Sequence, residues 1–289
     1  MTERISILLL AHNKAAYTQR CLGSLFRSTL RPFQVVLADN GSTDETPSVM
    51  DAFERRAKKE RIAVERLRFE ENVGAIEGRN RGIERLDGDY WVWMDNDIVV
   101  RTRSWLERLL AALNANPKAG VVGPKLVYAN QPHDIQCAGC TVTRGGQVIF
   151  RGRGAPIDAA EWNQPYDCQT LISACWMLRA DIARAVGPLD AQFSPVQFED
   201  IDYCYRIREE GATCRYEPGV EMYHFENVTT GRTTGLNYSY LTVKNGVKFK
   251  RKWRHRFEEE GGPPDSEWRW ADIPAVQLDD VPMKLDELA

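Results

Sequence analysis

Absences narrow this sequence first. No apolar run approaches the ~20 residues that a membrane span requires. Met1-Thr2-Glu3-Arg4 leads straight into an apolar stretch and lacks the layout of a signal peptide, so a cytoplasmic protein is expected. Net charge is only −3, which gives no electrostatic reason to expect a nucleic-acid partner. The seven cysteines are odd in number and scattered, which argues against a disulfide framework. Cys137-Ala-Gly-Cys140 is a C-x-x-C, but with no second such pair a zinc site is short of ligands, and buried, inert thiols are expected. No G-x-G-x-x-G follows the first apolar run, which disfavours a dinucleotide cofactor; no G-x-x-x-x-G-K-[ST] occurs, which removes a P-loop.

What is present is a regular alternation in the first hundred residues. Ile5–Ala11, Gln34–Ala38, Ile62–Leu67 and Tyr90–Met94 are short apolar or mixed runs, and helical patterns separate them, ended by Arg31-Pro32, Lys59 and Leu86. Continuous apolarity in the first run is the pattern of a strand buried on both faces. Strand and helix in alternation predict right-handed crossovers and a parallel sheet. Thr46-Pro47 reads as the cap and first turn of the second helix. The strands end in polar loops: Ala11-His12-Asn13, Asp39-Asn40-Gly41 and Asp95-Asn96-Asp97. In this topology such loops share one edge, where open α/β sheets bind ligands. Two carboxylates two residues apart at a strand tip suit a hard divalent cation that also takes phosphate oxygens. Taken alone, Asp95 and Asp97 would equally serve as turn caps.

Past residue 100 the alternation fails. Ser104–Asn114 is an amphipathic helix, Val121–Tyr128 a strand, Gly139–Arg153 has β character, and Leu171–Leu178 is another strand-like run before a short helix at Asp181–Val186. A mixed sheet building a second binding surface is expected. Phe198-Glu199-Asp200-Ile201-Asp202 then opens a helix to about Glu210. Acids in a first helical turn favour the dipole, but three in four residues exceed capping. Glu199 and Asp202 share a face and Asp200 points about 100° away, so one acid can face a cleft while Arg206 holds Asp202. An acid beside acids has a raised pKa and suits a general base. A cation-binding pair joined to a base is the constellation of group transfer from a nucleotide-activated donor.

These blocks together resemble a family 2 glycosyltransferase of the GT-A fold, over roughly residues 4–250. The similar segments are Ile5–Leu25; Val35–Thr46, VVLADNGSTDET; Glu71–Gly82, ENVGAIEGRNRG; the D-x-D at Asp95–Asp97; Ile172–Glu210 with its E-D-x-D helix; and later His224 and Lys244-Asn245. The resemblance, closest to a rhamnosyltransferase-like branch, implies an α/β fold with a Rossmann-like, mostly parallel central sheet flanked by helices and a mixed-sheet acceptor half. It implies that Asp39 reads a pyrimidine base beside the backbone of Ala11, and that Asn13, Asn72, Arg79, Asp95 and Asn96 line the donor pocket. It implies Mn2+ or Mg2+ on Asp97, with Asp95 and His224 as further ligands, Asp200 as base and Glu199 beside it at the acceptor. A UDP- or dTDP-sugar donor, a hydroxyl acceptor (glycan, lipid-linked or small molecule) and inversion at the anomeric carbon follow. The family often has proline where Ala11 stands and glycine where Ser173 stands, and the run after His224, Phe225-Glu226-Asn227, departs from its small-residue pattern.

The expected organisation is a nucleotide-sugar half at 1–100, an acceptor and catalytic half at 101–257, and an acidic tail at 258–289, with ten acids against two bases. Trp268 and Trp270 suggest that part of the tail packs. Lys244–Arg256 holds seven Lys/Arg and no acid, and Phe249, Trp253 and Phe257 form a helical stripe. That stripe either docks on the domain or meets an anionic membrane surface, which would suit a lipid-linked acceptor at the inner face of the membrane. Two rivals remain: a nucleotidyltransferase, which normally carries a Gly-rich basic loop after its first strand, and a non-catalytic sugar-nucleotide-binding protein, which has no need of Glu199 and Asp200.

Overall fold

The computed structural model describes residues 3–30, 33–226, 237–269 and Leu278; Arg31-Pro32, Asn227, Trp270 and most of the tail lie outside the described residues. The first half runs β1 (Ile5–Ala11), α1 (Ala15–Leu25), β2 (Gln34–Asp39), α2 (Thr46–Lys59), β3 (Ala63–Arg68), α3 (Ala75–Ile83) and β4 (Tyr90–Asp95). All four strands pair in parallel: Leu9 of β1 lies opposite Leu37 of β2 and Met94 of β4, and Leu37 lies opposite Arg66 of β3. Every residue of β1 is buried, as expected of a strand covered by helices on both faces. Thr46 is the first residue of α2 and not its cap, which is Glu45; the preceding Asp44 accepts from Thr46 N–H at 2.9 Å through Oδ1 and from Ala15 N–H at 3.0 Å through Oδ2, so one carboxylate ties the starts of two helices together.

The second half continues with β5 (Ile98–Val100), α4 (Trp105–Ala115), β6 (Ala119–Val127), β7 (Ile135–Cys137), the hairpin β8 (Cys140–Val142) and β9 (Val148–Phe150), then β10 (Tyr166–Cys168), β11 (Cys175–Arg179), α5 (Ala180–Val186), α6 (Glu199–Glu209), β12 (Thr213–His224) and α7 (Tyr238–Glu259). Apart from β8 and β9, which form a two-stranded sheet of their own, these strands extend the same sheet, in the order β10-β12-β6-β11-β4-β1-β2-β3, with β5 paired to β12 and β7 to β6. β11 lies antiparallel between β4 and β6, and β12 runs parallel to β6, so the sheet turns from parallel to mixed at the edge of β4. One hydrogen-bonded sheet therefore passes through both halves.

Two expectations change. The strand expected at Leu171–Leu178 begins only at Cys175. Residues 171–174 leave the ladder, and Ser173 N–H donates instead to a carboxylate of α6. The twelve-residue β12 was not anticipated; its alternating burial is plain in the fold, but Pro218-Gly219 reads as a turn in sequence. The aromatic stripe of α7 is core: Phe249, Trp253 and Phe257 are all buried, which removes that face from any membrane. Asp202 anchors the helix pair, accepting from Trp253 Nε1 at 2.7 Å, with Arg206 at 3.0 Å and Lys252 at 2.7 Å. After α7, Asp265 accepts from Gly145 N–H at 2.9 Å, so the start of the tail is packed. Cys137 and Cys140 are buried with their sulfurs 3.7 Å apart, and burial raises the Cys140 thiol well above its usual range.

Candidate functional site

The polar loops at the C-terminal ends of β1 to β4 are sewn to one another. Asn40 N–H donates to Ala11 O at 2.8 Å, and Asn13 Oδ1 accepts from Thr43 N–H at 2.8 Å. Asn96 is buried and donates to Asn13 O at 3.2 Å and Thr18 Oγ1 at 2.9 Å. Asn40 Nδ2 donates to Asn72 Oδ1 at 3.0 Å, and Asn72 Oδ1 also accepts from Gly74 N–H at 2.9 Å. Asn13, Asn72 and Asn96 thus hold loops together. The crossing of the second and third loops needs glycine: Gly41 has φ of 69°, and a Cβ there would lie 2.4 Å from the Glu71 carbonyl carbon.

Below this net sits Asp39, fully buried at the tip of β2. Its Oδ1 accepts from Ser42 N–H at 2.9 Å; its Oδ2 lacks a hydrogen bond and lies 3.6 Å from Arg68 Nε. A buried carboxylate oxygen without a donor is costly, and a ligand N–H would satisfy it.

The two acidic clusters meet at one residue. Arg79, on α3, is buried; it binds Asp95 Oδ1 through one terminal nitrogen and Glu199 Oε1 at 3.2 Å through the other. Burial works against its charge, but Asp95 and then Glu199 outweigh it, with Asp200 adding to the field, and the guanidinium pKa is raised. Residues 104 apart in the chain are joined by one planar cation suited to two carboxylates. Asp95 Oδ1 is engaged by Arg79.

On α6, Glu199 is buried and Asp200 half-buried. Asp200 accepts from Ile201 N–H at 2.8 Å and Ser173 N–H at 3.2 Å. Burial raises its pKa, opposed by those two N–H groups. Glu199 is pushed up to about 7 by burial, with Asp200 adding and Arg79 opposing. The helix starts from strained backbone: Gln197 and Phe198 have φ of 86° and 71°. Asn245 of α7, fully buried, clamps this entry by donating to Phe193 O at 2.6 Å and Val196 O at 2.9 Å.

A pH dependence follows. Glu199's pKa lies above its ordinary 4.5, so the folded state keeps a proton that the unfolded chain releases. Its contribution is full below about 4.5 and is lost as pH rises through about 7. Urea unfolding of Glu199→Gln is expected to show a flatter stability–pH curve in that window than the wild type; an unchanged slope would mean that Glu199 does not carry it.

Asp97 and His224 face each other across 3.7 Å. Asp97 is buried, its Oδ1 lacks a hydrogen bond, and burial, with Asp95's charge, raises its pKa well above the carboxylate range. His224, at the end of β12, is pushed down to about 3 by burial, with Arg153's charge adding, so its imidazole is neutral. An orphaned carboxylate oxygen beside a neutral imidazole is a donor set that fits Mn2+ or Mg2+. Among the described residues no three His, Cys, Asp or Glu side chains form a preassembled cluster; phosphate oxygens would have to complete the coordination. Sequence reasoning gave no place to Gln136 and Arg153, which lie in no motif, and no role to Asn40 or the Ser173 N–H, although both residues lie in segments it singled out.

Comparison with known proteins gives the family and the fold. Residues 6–187 match the family described as Glycosyl transferase family 2. The N-acetylglucosaminyl-diphospho-decaprenol L-rhamnosyltransferase of Mycobacterium tuberculosis is 28% identical over 258 residues, covering 80% of this chain and 79% of that protein. A protein of Sinorhizobium fredii, y4gI, described only as uncharacterized, is 25% identical over 91% of this chain, which spans 29% of its length. Among solved structures, GalNAc-T7 with UDP, GalNAc and Mn2+ superposes with a TM-score of 0.69 at 17% identity, over 90% of this chain and 50% of that one. The mannosyltransferase PcManGT from Pyrobaculum calidifontis with GDP-Man and Mn2+ gives 0.65 at 15% identity, over 90% and 70%. At such identities the likeness shows the fold, which is GT-A.

Proposed function

The chain belongs to glycosyl transferase family 2, and from that premise we propose that it is an inverting glycosyltransferase moving a sugar from a UDP- or dTDP-sugar to a hydroxyl acceptor in polysaccharide or glycoconjugate assembly. The observation that carries this reading is the Arg79 bridge, which joins the strand tip bearing Asp95 and Asp97 to the helix bearing Asp200. Asp39's free Oδ2 accepts the imide N–H of a pyrimidine base. Asp97 and His224 hold the divalent cation, which supplies neutralisation of the diphosphate. Arg79 keeps Asp95 and Glu199 charge-balanced beside the donor. Asp200 accepts the acceptor's hydroxyl proton as its oxygen bonds to the anomeric carbon, while the bond from that carbon to the diphosphate oxygen breaks and the diphosphate leaves with the electron pair. A carboxylate cannot ionise an alcohol beforehand, but one raised by burial can take the proton as it is shed.

Calorimetric titration of UDP and dTDP, then of their sugars, with and without Mn2+, tests the reading. Binding of one pyrimidine sugar nucleotide that requires Mn2+ supports it; no binding of any of them removes it. Asp97→Ala is expected to weaken Mn2+-dependent UDP binding by about ten- to a hundredfold, the loss of one charged ligand. The same titration reads the change, and unaltered affinity would take Asp97 out of the metal site.

For the acceptor side, we place α7 at an anionic membrane surface, with its outer face in place of the buried aromatic one. Tyr240, Val243 and Val247 are the exposed large apolar residues of the described chain, and Lys244, Arg251 and Arg254 lie exposed along the same helix. No described helix is long and apolar enough to cross a membrane; a peripheral contact of α7 at the cytoplasmic leaflet would suit a lipid-linked acceptor. Sedimentation with phosphatidylglycerol vesicles is expected for the wild type and lost in Val243→Glu with Val247→Glu. Equal behaviour with neutral phosphatidylcholine vesicles would overturn the electrostatic part.

A further inference from the structure

Gln136 sits at the centre of β7, fully buried. Its side chain touches His224 twice: Oε1 lies 2.6 Å from the ring Nδ1, and Nε2 lies 3.4 Å from the His224 carbonyl oxygen. These two contacts fix each other's sense. A backbone carbonyl only accepts, so the amide nitrogen must face it. The amide oxygen is then the atom that faces the ring, and an amide oxygen also only accepts, so Nδ1 must carry the proton. In a neutral imidazole the other nitrogen is then bare.

The far side of the ring agrees. Nε2 is 3.7 Å from Asp97 Oδ1, too long for an N–H···O bond to a carboxylate. Among the described residues, Asp97 Oδ1 has no hydrogen-bond donor. Two bare acceptors facing each other across a gap leave room for a cation, whereas an Nε2–H would draw the carboxylate in.

We propose that Gln136 is the positioning residue of this site: it fixes His224 in the Nδ1–H tautomer and aims the Nε2 lone pair at the space beside Asp97. The inference rests on reading Asp97 and His224 as cation ligands. A hydrogen-bond acceptor behind a ligating histidine sets its tautomer and orientation, and loss of such a partner typically lowers metal affinity by about 10–100-fold. Nothing in the sequence signals Gln136, a single glutamine on a three-residue strand.

The test uses the full chain in three forms: wild type, Gln136→Met, which keeps length and apolar packing but removes the acceptor, and Gln136→Glu, which keeps an acceptor oxygen behind the ring. Imidazole 15N NMR without metal reads the tautomer, and Mn2+ titration in the presence of UDP reads the ligand set. The wild type and Gln136→Glu are expected to show Nδ1–H, with Gln136→Met mixed or Nε2–H. Mn2+ affinity should fall about 10–100-fold in Gln136→Met and by much less in Gln136→Glu. An Nε2–H tautomer in the wild type overturns the proposal, and so does a Gln136→Met protein that keeps Nδ1–H. If the tautomer shifts as expected but wild-type protein takes up no Mn2+ with UDP, the positioning role stands and the metal reading of Asp97 and His224 falls.

Discussion

Asp200→Asn is expected to bind the donor as the wild type does and to transfer sugar about 10²–10⁴-fold more slowly, the range that a positioned general base contributes. The substitution is chosen for what it leaves intact. Asparagine keeps the size of the side chain, and its amide oxygen can keep one of the two N–H contacts that Asp200 makes through separate oxygens, Oδ1 with Ile201 at 2.8 Å and Oδ2 with Ser173 at 3.2 Å, so the start of α6 is expected to keep most of its geometry. What is lost is the capacity to take a proton. Calorimetry with the donor and Mn2+ measures the first expectation; release of nucleoside diphosphate in the presence of acceptor measures the second. Wild-type turnover would place the base elsewhere. Glu199 is the neighbour to consider, since its pKa of about 7 is suited to proton transfer. Its carboxylate, however, is committed to Arg79 at 3.2 Å and buried, whereas Asp200 is half-buried and held only by backbone N–H groups, with its proton-accepting capacity raised by burial. The outcome in Glu199→Gln separates the two: a modest effect on rate is expected, with the change in pH-dependent stability described above.

The half of the fold that could be read in advance is the half whose physics is local. A parallel strand covered on both faces must be apolar throughout, and ISILLLA shows it. A strand that delivers Asp95 and Asp97 to its own tip is visible because burying carboxylates at a strand end is unusual in a structural role. The acid density at Glu199–Asp202 exceeds what helix capping needs, and Phe249, Trp253 and Phe257 are spaced as one helix face, which the structure buries. The remainder depends on contacts that spacing does not encode. β12 pairs with β6 across a register shift between Glu217 and Glu221, at Pro218 and Gly219, residues that read as a turn in sequence. Residues 171–174 are apolar enough for a strand, yet they leave the sheet because the Ser173 N–H serves Asp200. The turning of Asp95 toward Arg79 and of Gln136 toward His224 joins residues 16 and 88 apart, and neither pair has a sequence signature.

Arg79→Met is expected to be the most destabilising single change in the site. Methionine fills much the same volume, so packing is conserved, but the cation between Asp95 and Glu199 is gone. Both carboxylates then remain largely withdrawn from water with no counter-charge, and Glu199 Oε2 already lacks a hydrogen bond. Removing one member of a buried ion cluster typically costs about 3–5 kcal/mol, which in a chain of this size lowers the melting temperature by roughly 5–8 °C. The deficit should depend on pH in a definite direction. Arg79 opposes the rise of the Glu199 pKa, so without it Glu199 holds its proton more tightly, the folded state binds a proton over a wider range than the unfolded chain, and stability falls as pH rises. The variant is therefore expected to approach wild-type stability at acid pH and to fall furthest behind at neutral pH and above. Arg79→Lys should land between, because one ammonium cannot engage both carboxylates in the planar fashion of a guanidinium. Adding Glu199→Gln to Arg79→Met should restore part of the loss, a coupling that a pair of independent sites would not show. Melting curves of the four proteins at two pH values decide it. If Arg79→Met melts with the wild type at neutral pH, the bridge is not what reconciles the two acidic clusters, and the assignment of one continuous site to them loses its main support.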